Sequence, residues 1–102
     1  MNTLPTGDPE FDRAMAEFRA QNTRLDEAGQ RFEQLRGRGK DASGHVTAEV
    51  LPSGSLVALT FDPRALRLSA ADLAEAVLAA TRAAEEDAGA QAEEIVTFMH
   101  GG

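Results

Sequence analysis

Apolar and polar residues alternate with a period of two in a single stretch, GHVTAEVLPSGSLVALTFDP, from Gly44 to Pro63. That alternation predicts a β-hairpin. With Ser53-Gly54 as the central residues of a tight turn, Leu51 is expected opposite Leu56, Val50 opposite Val57, Ala48 opposite Leu59 and Val46 opposite Phe61. The last three pairs share an oily face, while His45, Thr47, Glu49, Ala58 and Thr60 occupy the other. A lone ribbon of this kind is marginal in water. The remaining elements are expected to cover its oily side.

Upstream the period changes. Phe11, Phe18, Leu25 and Phe32 recur every seventh residue, with Ala14, Met15, Ala28 and Leu35 beside them, which predicts a helix with a coiled-coil-like seam. Asp8 is its expected N-cap, Pro9 fits the first helical position, and Glu10 and Asp12 complement the positive helix end. Gln21 and Asn22 interrupt the seam. A helix of this length, about 1.5 Å per residue, reaches well beyond strands of six or seven residues at about 3.3 Å each. Phe11, Met15, Phe18 and Leu25 are therefore expected to form a homodimer interface, since the sheet cannot cover them.

Between the first helix and the hairpin, Arg36-Gly37-Arg38-Gly39-Lys40 alternates glycine with cations. It reads either as a third, edge strand or as a loop, and its cations either protect an edge or contact phosphate. After the hairpin, Asp62-Pro63 stops the strand. Ser69 is the expected N-cap of a second helix, with Leu68 and Leu73 as a hydrophobic staple. Its buried stripe is expected to be Leu73, Val77, Ala80, Ala84, Ala88 and Ile95, with Gly89 bending or dividing the helix. The fold class expected is therefore α+β: a long N-terminal helix, a small antiparallel sheet, a C-terminal helix, and a homodimer. Residues 1–7 are expected as a flexible lead, 8–97 as one domain and 98–102 as a flexible tail.

Charge changes the picture more than composition does. The 102 residues carry a formal net charge of −7, yet Arg31, Arg36, Arg38 and Lys40 face only Glu33 between positions 31 and 40. One basic segment in an acidic chain directs a polyanion to one place. Cysteine is absent, which excludes disulfides and thiolate metal sites. No apolar run approaches the roughly 20 residues of a membrane span, so no membrane partner is expected and the cytoplasm is the expected compartment.

The residues Gly44-x-Val46-x-x-x-Val50, the turn glycine Gly54, and Phe61-Asp62-Pro63 followed by Leu66 and a capped helix together resemble the YbaB/EbfC nucleoid-associated family, over about Phe11 to Val96. The resemblance implies a bacterial, homodimeric protein of the nucleoid that binds double-stranded DNA. Two features depart from the family pattern. Arg36-Gly37-Arg38-Gly39 stands where relatives carry β-branched residues, so the first strand is expected to be short or absent, and the charge is unusually acidic for a DNA-binding dimer.

No enzymatic constellation is visible, and neither catalytic residues, a metal site nor a cofactor is expected. His45 and His100 lack partners at ligand spacing. Ser53-Gly54-Ser55 is not followed by the helix of a nucleophile elbow. The expected DNA contacts are Arg31, Arg36, Arg38 and Lys40, with Arg64 and Arg67 adding to the same surface, and with little base readout. The alternative is an acidic paralogue that has kept the fold and serves as a protein adaptor. Its surface would be the unpaired apolar end of the first helix or the acidic face of the second, where Glu85-Glu86-Asp87 and Glu93-Glu94 would attract a basic protein partner.

Overall fold

A computed structural model describes residues 8–100. Helix α1 spans Pro9–Gln34, strands β1, β2 and β3 span Gly37–Lys40, Val46–Val50 and Leu56–Phe61, a 3-10 turn spans Pro63–Arg67, and helix α2 spans Ala70–Met99. The sheet is antiparallel in the order β1-β2-β3. This is the expected α+β architecture, and β1 resolves the strand-or-loop alternative in favour of a short edge strand. The expected lead, residues 1–7, lies outside the described residues.

Both helix starts are capped by the expected residues. Asp8 accepts hydrogen bonds from the Glu10 and Phe11 backbone N–H groups at 3.0 and 3.3 Å, and Ser69 accepts one from Asp72 N–H at 3.1 Å. The stripe on α2 is Ala76, Ala80, Ala84, Ala88 and Ile95, with Leu73 and Val77 half-buried, so Ala76 joins the expected set. Two expectations for α2 are corrected. Gly89 does not divide it, for the helix is continuous across that residue, and the helix runs to Met99, so Phe98 and Met99 are not tail. Both pack partly buried against the core.

The hairpin register holds at Val46–Phe61 and Ala48–Leu59 and then shifts. A bulge between Glu49 and Val50 puts Val50 opposite Leu56 instead of Val57, and Leu51 lies outside the strand. The turn is also longer than expected. Gly54 N–H donates to the Leu51 carbonyl at 2.8 Å and Leu51 N–H to the Ser55 carbonyl at 2.9 Å. The central residues are thus Pro52 and Ser53, and Gly54 follows with φ of 90°, the left-handed conformation that closes a three-residue hairpin loop. Proline at the first central position fits its fixed φ.

The core forms where α2 crosses β1 and β2. Val46, Ala48 and Val50 are fully buried beneath the alanine stripe. Gly37 and Gly39 point the same way, and their lack of side chains lets α2 approach: a Cβ on either would sit 2.2 Å from backbone atoms of Ala84. The glycines of the basic segment are therefore a packing device, small residues on the strand meeting small residues on the helix. Helix α2 leaves β3 uncovered. Leu56, Leu59, Phe61 and Leu66 on the following 3-10 turn remain exposed, although Leu59 and Phe61 lie opposite buried residues.

Candidate nucleic-acid interface

Because Gly37 and Gly39 face α2, pleating turns Arg38 and Lys40 to the opposite, open side of β1. The strand is held in place from α2. Arg38 N–H donates to Asp87 Oδ2 at 2.9 Å, and Gln91 Nε2 donates to Asp87 Oδ2 at 2.8 Å and to the Arg36 carbonyl at 2.9 Å. These bonds occupy polar groups of the edge strand that would otherwise invite another strand.

The six sequence-predicted cations have different circumstances. Arg38 Nε donates to Glu49 Oε1 at 2.9 Å, across the Arg38–Glu49 strand pair, yet its side chain stays 71% exposed. Arg36 is half-buried and turns back onto the end of α1, where Nη1 donates to the Leu35 and Glu33 carbonyls at 2.7 and 3.2 Å. There it satisfies orphan carbonyls of the helix C-terminus. The Arg31 guanidinium lies 4.1 Å from the centre of the Phe98 ring, a cation–π contact joining the last turns of α1 and α2. Lys40 is exposed on the open face of β1.

Arg64 and Arg67 are placed elsewhere. Both sit on the 3-10 turn, which follows β3 at the far edge of the sheet from β1. Arg64 binds Asp62 through two bonds, Nε to Oδ1 at 3.1 Å and Nη2 to Oδ2 at 3.2 Å. The Arg64 bonds, side-chain and then backbone, hold the Asp62 carboxyl at about 2, and its carboxylate raises the Arg64 guanidinium in turn. Strand order puts β2 between Arg64 and Arg67 on one side and Lys40 on the other, and the pairing of Lys40 with Thr47 and of Thr47 with Thr60 brings both to the same end of the sheet.

The loop joining β1 to β2 is held by the Asp41 carboxylate. Asp41 accepts hydrogen bonds from the Ser43 hydroxyl and N–H and, at 2.9 Å, from Val46 N–H. Chiefly through the Ser43 hydroxyl and then Val46, its carboxyl is held at about 2. Gly44, with φ of 77°, allows the reversal. Next to it, His45 is half-buried and its Nδ1 has no hydrogen-bond partner. Among the described residues no group of three or more His, Asp or Glu side chains is placed to hold a metal ion.

Sequence reasoning missed the partners of these cations. Glu49 reads from the sequence as part of the polar face of the hairpin, and extending the antiparallel register by one strand sets it against Arg38. Asp87 and Gln91 were readable only as polar residues of a solvated helix. Their distance from Arg36 and Arg38 along the chain gave no signal.

Arg38 and Lys40 thus stand on the open side of an edge strand that α2 backs from the other side. The sequence profile of the YbaB/EbfC DNA-binding family matches residues 8–102, and the chain belongs to that family of nucleoid-associated, DNA-binding proteins. A crystal structure of an uncharacterized protein, HP0035 from Helicobacter pylori, shares the fold. It superposes with a TM-score of 0.61 at 13% identity, covering 88% of this chain and 96% of that one. A comparison with curated proteins gave no match.

Proposed function

We propose that this is a non-enzymatic protein of the bacterial cytoplasmic nucleoid, which binds double-stranded DNA through the phosphate backbone as a homodimer and with little sequence preference. The observation that carries the reading is the open side of β1. Arg38 and Lys40 are presented there by a strand whose glycines are locked against α2, with Arg31 exposed on the adjoining end of α1, in a chain that is otherwise acidic. Neither helix offers a basic face for reading base edges, so phosphate contact dominates. Arg36 serves the site mainly by holding the α1–β1 junction, and Arg64 and Arg67 add cations across β2 from Lys40.

Two copies supply about six such cations. Neutralising about six phosphates makes the affinity fall on the order of 10³-fold between 50 and 200 mM salt. Fluorescence anisotropy of a labelled 30-base-pair duplex across that range measures the slope. Replacing Arg31, Arg38 and Lys40 together with alanine should abolish the binding while leaving the far-ultraviolet circular dichroism unchanged. Retained binding by the folded triple variant would overturn the site assignment.

The homodimer is supported by the apolar side chains left open in one copy: the α1 seam at Phe11, Phe18 and Leu25, with Met15 half-buried beside them, and the β3 side with Leu59, Phe61 and Leu66. Exposed apolar area of this extent marks an association surface. A second reading, an adaptor for a basic protein, rests on Glu85, Glu86, Glu93 and Glu94, all exposed on α2. Absence of DNA binding at low salt by a folded dimer, with capture of a basic partner, would favour it.

A further inference from the structure

The open half of α1 is complementary in charge and size to itself turned end for end. With Phe11, Phe18 and Leu25 at the first position of each heptad, Ala14, Gln21 and Ala28 occupy the fourth. The position before each heptad start carries Glu10, Glu17, Arg24 and Arg31 in turn, acidic in the outer half of the helix and basic in the inner half. Such flanking positions set the partner and orientation of paired helices.

We infer that the outer half of α1 docks antiparallel on the same segment of a second copy of this chain, with Glu17 of each facing Arg24 of the other. This rests on the homodimer reading above and gives that contact an orientation and a register. In an antiparallel pair, the register that joins Glu17 to Arg24 also sets Phe18 against Gln21 and Leu25 against Ala14. Each large side chain then meets a smaller one, and all four positions are exposed in the single copy. A parallel pair would set Glu17 against Asn22 and stack Phe18 on Phe18.

The structure offers a seat and a stop for that arrangement. A depression of about 280 Å³, lined by Gln21, Arg24, Leu25, Met99 and His100, lies where Phe18 of the second copy arrives. One turn further along the seam Ala28 is already buried, covered within its own chain. The pairing therefore ends there, with Phe11 brought against the end of the second copy's α2. Phe11, Phe18 and Leu25, each more than half exposed alone, become covered together.

Charge exchange tests the register without deleting apolar area. Sedimentation equilibrium of the full chain, without DNA, gives the self-association constant of wild type, Glu17→Arg, Arg24→Glu and the double exchange, with circular dichroism confirming that each is helical. Each single variant sets like charges together twice per pair and should weaken association about tenfold. The double exchange, and an equimolar mixture of the two singles, should restore it. Single variants that associate like wild type, or a double exchange that stays weak, would overturn the register while leaving dimerisation through the β3 side standing. A wild type that remains a single copy, or a seam protected only by added duplex DNA or a basic peptide, would overturn the proposal and give the surface another occupant.

Discussion

At the scale of residues, the segment that carries the proposed DNA contact works through what its alternate positions lack. Gly37 and Gly39 admit α2, and the pleat then delivers Arg38 and Lys40 outward. Gly39→Ala should accordingly lower stability by at least about 1–3 kcal/mol, because the new methyl meets backbone rather than a side chain that can move. Chemical denaturation followed at 222 nm reads the change, and a shift within error would contradict the packing role. Asp41 makes a pH-dependent contribution. Its folded pKa, about 2, lies below the roughly 3.9 of an unfolded aspartate, so its stabilisation is fully present above about pH 4 and is lost as pH falls toward 2. Asp41→Asn should thus be less stable than wild type at neutral pH, with the difference closing across that window. An offset that stays constant from pH 6 to pH 2 would show that the charge is irrelevant.

At the scale of elements, β1 and β2 share their charge. The Arg38–Glu49 pair bridges the two strands on the open face, and as an exposed pair it is worth only about 0–1 kcal/mol of stability. In the proposed DNA contact its larger consequence is functional, since Glu49 would compete with phosphate for Arg38. Glu49→Gln should tighten DNA binding several-fold at low salt and steepen the log–log salt slope by about one per copy, with the denaturation midpoint nearly unchanged. Unaltered affinity would mean that Arg38 does not reach phosphate. The basic segment was legible as an element by its composition, whereas the restraint on Arg38 was not, because it arises from the pairing of β1 with β2.

For the whole molecule, shape is the informative quantity. A single copy has a radius of gyration of 21.7 Å and extents of 74 × 25 × 17 Å, against about 13 Å expected for a compact chain of this length. Its surface of 7395 Å² exceeds the roughly 5500 Å² of a globular monomer of the same mass. Much of the excess is α1, in which no side chain from Pro9 to Ala20 is buried. A helical segment of that length is marginal by itself in water. Amide exchange from Phe11 to Ala20 should therefore be fast in dilute protein and slow at concentrations where copies associate, while exchange in α2 is slow in both. Protection of the segment that does not depend on concentration would mean that the helix needs no second copy.

The sequence alone determined the features governed by short-range physics. The caps Asp8 and Ser69, the arrest at Asp62-Pro63, the seven-residue seam and the alanine stripe each follow from neighbouring residues and their periodicity, and each is present in the structure. The family was likewise readable from residues that specify turns and strand pairing, and the chain's membership agrees. Tertiary structure decided what depends on elements meeting. Ala84 explained the glycines of β1, and Asp87 and Gln91 secured its edge. These are contacts between residues distant in the chain, and which of them form depends on how closely α2 can approach the sheet, a distance no local pattern encodes.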